Sequence, residues 1–62
     1  MKVRDLIKLL EENGWYLKRT RGSHRQYKHL NKPGTVTIAG QPSVEVPKGT
    51  LNAILKQSGL KK

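Results

Sequence analysis

The stretch "RTRGSHRQYKH" (residues 19–29) holds the side chains best suited to chemistry. It contains four Lys and Arg residues and both histidines of the chain, arranged around one Gly-Ser pair. A histidine exchanges protons near neutral pH, with a reference pKa of about 6.5. Beside cations it can take the proton from a ribose 2′-hydroxyl, while Arg and Lys stabilise the charge that builds on the attacked phosphate. That chemistry needs no metal and works only on RNA. The plainer reading is a phosphate contact, since a histidine among arginines can hold a polyanion without cutting it.

Strand geometry separates the two histidines. His24 and His29 are five apart in one regular strand, so they point to opposite faces and cannot act as an acid–base pair on one phosphate. His24, at the turn, is the candidate base; His29 is expected to be an ordinary polar strand residue. A two-residue turn at Gly22-Ser23 places Arg21 opposite His24, Arg19 opposite Gln26 and Leu17 opposite Lys28. Paired residues share a face, so Arg19, Arg21, His24, Gln26 and Lys28 line one side. Tyr16, Lys18, Thr20, Arg25, Tyr27 and His29 take the other. This register splits the aromatics, with Trp15 on one face and Tyr27 on the other, and a bulge or a longer turn would exchange faces.

The elements that position these residues are legible along the chain. Val3, Leu6, Ile7 and Leu10 recur at helical spacing over residues 3–13, with Leu9 at the stripe's edge and "NG" as a stop. Residues 15–21 and 24–30 read as strands, with Gly22 supplying the positive φ of a type II′ turn. "NKPG" (31–34) makes a second turn and "TVTIA" (35–39) a third strand. Residues 40–49 form a Gly- and Pro-marked loop. A last helix starts between Pro47 and Thr50, carries Leu51, Ile54 and Leu55, and stops at Gly59, leaving Lys61 and Lys62 as a frayed tail. The class is α+β in the order α-β-β-β-α, a three-stranded antiparallel meander with both helices on one face and the other face open. One domain spans residues 1–62.

Composition narrows the partners. Thirteen Lys and Arg against four Asp and Glu give a formal charge of +9 in 62 residues. Such an excess either serves solubility alone or attracts polyanions, nucleic acid or an acidic protein. The absence of cysteine excludes disulfides and thiolate metal sites, and two histidines with four scattered acids argue against a metal centre or a carboxylate pair. Charges interrupt every apolar run of "MKVRDLIKLLEENG", so no signal peptide, membrane association or cofactor is expected, and a cytoplasmic location is. The glycines of "KPGTVTIAGQP" do not precede a helix as a phosphate-binding loop requires.

The segments "LIKLLEENGWYLKRTRGSHRQYKH" and "PKGTLNAILKQSGL" resemble the HicA family of toxin mRNA interferases, over Lys2 to Leu60. The helix ending in "NGW", the "GSHRQYKH" segment and the terminal "GTLNAILKQSGL" carry the resemblance together. It implies a fold similar to the double-stranded-RNA-binding domain and an mRNA-cleaving toxin neutralised by a HicB-type antitoxin, acidic at the interface. It also implies that His24, in the "GSH" motif, is catalytic. Arg19, Arg21, Ser23, Arg25, Lys28 and Lys18 then become RNA-binding candidates, with Gly22 shaping the turn. Many relatives carry a further histidine after the third strand, where this chain has "IAGQPS". The general acid is therefore unassigned among a lysine, Ser23 and water. The rival reading is a non-catalytic RNA-binding module of similar fold, and a third is an acidic-protein binder with no RNA role.

Overall fold

The computed structural model describes residues 1–60; the fray expected at Lys61 and Lys62 lies outside the described residues. Helix α1 (Val3–Glu12) leads into β1 (Trp15–Arg21), β2 (His24–His29) and β3 (Val36–Ala39), and α2 (Lys48–Gln57) closes the chain. The strands form one antiparallel sheet in the order β1-β2-β3, as the two short turns require. The α-β-β-β-α order and the α+β class stand. Element ends differ from the sequence reading by a residue or so, and Pro47 is the N-cap of α2 rather than part of its first turn.

One core holds the layers together. Val3, Leu6 and Leu10 of α1, Trp15, Tyr27, Val36 and Ile38 of the sheet, Val46 of the loop and Ile54 of α2 form a single buried cluster. Burying one such aliphatic side chain contributes about 1.5–3 kcal/mol, so a 62-residue chain depends on each of them. β3 alternates buried Val36 and Ile38 with exposed Thr37 and Ala39, so both helices cover the same face of the sheet.

The pairing of β1 with β2 corrects the sequence reading. From the tip it runs as expected, with Arg21 opposite His24 and Arg19 opposite Gln26. Leu17 then faces Tyr27, not Lys28, because Lys18 is an extra residue in a β-bulge. Tyr16 therefore lies opposite Lys28, on the face that carries His24. The bulge has a packing cause. Without it Trp15 and Tyr27 would point to opposite faces; with it both reach the core, each only 2% exposed. Burying Trp15 and Tyr27 together outweighs one interrupted stretch of ladder.

The loop from Gly40 to Pro47 is tied down. The carbonyls of Pro42 and Val44 accept from the N–H groups of Arg4 (3.1 Å) and Val3 (2.9 Å), donors that the first turn of α1 cannot satisfy internally. At the other end of the chain, α2 closes with a Schellman pair: Leu60 N–H to Leu55 O at 2.9 Å and Gly59 N–H to Lys56 O at 3.2 Å. Lys32 Nζ adds a bond to Ser58 O at 3.0 Å, a cation at a helix C-terminus.

Candidate nucleic-acid interface

The tip of the β1–β2 hairpin is built by its turn. Gly22 has φ +59° and Ser23 does not enter the left-handed region, as in a type II′ turn. This geometry closes two strands with only two residues between them and sets Arg21 directly opposite His24. Gly40 N–H donates to Ser23 O at 3.2 Å, so β3 braces the turn from the other side.

The face without helices collects the cationic side chains. Across β1 and β2 it presents Arg21 with His24, Arg19 with Gln26, and Tyr16 with Lys28. His24, Arg19 and Arg21 are exposed, and Gln26 and Lys28 half-buried. Directly opposed side chains lie about 4.5–5.5 Å apart at Cβ. Four residues of strand separate His24 from Lys28, about 13 Å. The face thus offers a histidine at one end, cations along its length and an aromatic ring at the other. No acidic residue lies in β1, β2 or β3, so an anion meets no local repulsion there.

The remaining candidates sit elsewhere. Arg25 lies on the core side of β2, half-buried, and its Nη1 donates to Gly40 O at 2.9 Å. Part of its donor set is thereby spent on anchoring the end of β3. Lys18 projects from the bulge and Ser23 from the turn, both exposed. Tyr16 was not singled out by sequence reasoning, because only the bulge moves it to this face. Among the described residues no three His, Cys, Asp or Glu side chains converge as metal ligands would.

His29 is placed by different forces. Asn31 N–H donates to its Nδ1 at 3.0 Å, so the ring proton sits on Nε2, which donates to Asn13 O at 3.0 Å. The ring meets Trp15 edge-on, with centroids 5.2 Å apart. It therefore pins the α1–β1 turn to the β2–β3 turn. Gly14, in that first turn, has φ +92°, and a Cβ there would come within 2.7 Å of His29 Nε2. Gly14 thus answers two demands at once, a left-handed backbone and space for the imidazole.

Tyr27, at the centre of β2, has its phenol pKa raised above 10.0, chiefly by burial and further by the Glu11 carboxylate, with Arg25 opposing. It titrates outside the physiological range and serves the core rather than proton transfer.

No helix of the described residues is long and apolar enough to cross a membrane. No curated protein matches the chain. The family model of the HicA toxin of bacterial toxin-antitoxin systems matches residues 3–60.

Proposed function

This chain belongs to the HicA toxin family, and from that premise we propose that it is a metal-independent endoribonuclease acting on mRNA in the cytoplasm. The observation that carries the reading is the position of His24. It is exposed at the tip of the helix-free face, directly opposite Arg21 and two cross-strand pairs from Arg19, the next pair on that face.

An RNA strand laid on this face puts its phosphates against Arg19, Arg21 and Lys28. Lys18 and Ser23 contact it from the bulge and the turn, and the free donors of Arg25 add attraction at the rim. His24 then takes the proton from the 2′-hydroxyl next to the scissile phosphate. The 2′-oxygen bonds to phosphorus, the P–O5′ bond breaks, and the leaving 5′-oxygen takes up a proton. The products are a 2′,3′-cyclic phosphate and a 5′-hydroxyl. The cations balance the charge that gathers on the phosphorane oxygens, a contribution larger in the transition state than in the bound substrate. The incoming proton comes from a lysine, Ser23 or water. Neutralisation falls to a HicB-type antitoxin whose acidic surface meets the +9 charge.

The test is a defined RNA incubated with wild type and His24→Ala, each with and without a chelator. The expected result is cyclic-phosphate ends from wild type in both conditions and intact RNA from the variant. Undiminished cleavage by His24→Ala removes the catalytic assignment. Intact RNA with every protein, together with salt-sensitive binding, leaves the non-catalytic RNA-binding module in its place.

A further inference from the structure

We infer that the free edge of β3, with the apolar pocket beside it, is the docking site for an extended acidic segment of the antitoxin, separate from the cationic face. The inference rests on the toxin reading for the existence of that partner. Both outer strands of the sheet are edges, and they are treated differently. β1 is bulged at Lys18 and charged at Arg19 and Arg21, devices that oppose pairing with another strand. β3 (Val36–Ala39) carries no charge and no bulge.

The backbone of that edge is open. Gly40 N–H bonds to Ser23 O, so Ser23 and Gly40 form a hydrogen-bonded pair. Antiparallel ladders alternate such pairs, which makes Arg25–Ile38 and Tyr27–Val36 the next ones. The N–H and C=O groups of Thr37 and Ala39 therefore point away from β2, toward solvent. Alongside lies a pocket of about 260 Å³ walled by Ile38, Ala39, Val44, Val46, Thr50 and Ile54 and also lined by Glu45, whose carboxylate is paired with the Met1 amino group at 3.0 Å. A strand added to this edge pairs with Thr37 and Ala39 and turns alternate side chains toward the helix side. The one level with Ile38 enters the pocket, which has room for a branched aliphatic group.

Charge decides the occupant. A second copy of this chain would bring a further +9 against the same +9, so a β3–β3 dimer is opposed by repulsion. An extended segment flanked by Asp and Glu is attracted instead, and its pocket-filling side chain supplies the apolar contact.

The experiment uses the product of the adjoining reading frame as the probe. Amide exchange is followed in the free toxin and in the complex, where Thr37 and Ala39 are expected to gain protection. Thr37→Pro deletes one outward N–H while sparing the pairing with β2, and Thr50→Glu puts a charge on the pocket wall. Each is expected to weaken the complex by about tenfold or more, with thermal melts confirming that both variants fold. Thr50→Glu leaves RNA cleavage at the wild-type rate. Wild-type affinity in both variants, or unchanged exchange at Thr37 and Ala39 in the complex, overturns the proposal. So does protection that rises with toxin concentration alone, which would assign the edge to a second copy. A product that does not bind also removes it. Cleavage assayed in parallel separates the failures, since His24-dependent cutting without edge protection discards only the docking site.

Discussion

His24 and His29 begin and end the same six-residue strand, and the tertiary structure gives them opposite circumstances. At the hairpin tip His24 is exposed and its ring makes no hydrogen bond to the described residues, so its ring nitrogens are free to meet a ligand. At the base His29 has both nitrogens committed, to Asn31 and Asn13, and its ring seated on Trp15. Strand alternation puts them on different faces, but the contrast in role has a further cause. At the tip Gly40 reaches the turn through its backbone N–H to Ser23 O and leaves the His24 ring free, whereas the α1–β1 and β2–β3 turns converge on the base. The comparison teaches that a histidine's availability here is set by its distance from the converging turns.

That contrast can be broken by exchanging the roles. The largest expected effect is on catalysis: His24→Ala lowers RNA cleavage by about 100-fold or more, while urea melts show stability unchanged within about 0.5 kcal/mol. His29→Ala does the reverse. It loses two hydrogen bonds and a ring contact, about 2 kcal/mol in the same melts, and cleavage per folded molecule stays at the wild-type level. A cleavage loss in the folded His29 variant would erase the distinction between the two residues.

The turns sharpen the comparison next. Gly22→Ala places a Cβ in open space at φ +59°, and costs about 1–2 kcal/mol for the left-handed backbone alone. Gly14→Ala adds the contact with His29 Nε2 to a similar backbone strain, so it is the more destabilising of the two. In a His29→Ala background the excess should disappear, a coupling that a double-mutant cycle reads directly.

Smaller effects distinguish the two faces of the sheet. Arg21→Gln and Lys28→Gln each remove one phosphate contact, and each flattens the log–log salt slope of single-stranded RNA binding by about 0.7. Arg25→Gln, on the core side, should show up mainly as lost stability through its bond to Gly40 O. The last effect is alkaline. Because the Tyr27 phenol is raised by burial, its contribution is complete below its ordinary pH of 10.0 and fades as pH climbs through the higher folded value. Melts of wild type against Tyr27→Phe above that pH check the sign: the variant should lose less stability.

Much of this molecule was readable along the chain. The spacing of Val3, Leu6 and Leu10 marks a helix, Gly22-Ser23 a tight turn and alternation in "TVTIA" a strand, because each rests on local geometry. The opposite pointing of His24 and His29 follows from the two-residue period of any strand. The register beyond Arg19 was not readable, although the split of Trp15 from Tyr27 in the unbulged pairing was the clue. Nor was the part played by Arg25, whose hydrogen-bond acceptor lies 15 residues away.

The amino-acid order by itself thus determined the elements, their sequence and the cationic, histidine-bearing hairpin, all products of neighbours along the chain. Tertiary packing alone decided that Lys18 bulges, that Tyr16 joins the His24 face, that His29 becomes a pin and that β3 keeps an open, uncharged edge. The physical reason is common to all four. Each depends on which distant apolar groups must be buried together, and local geometry is silent about that.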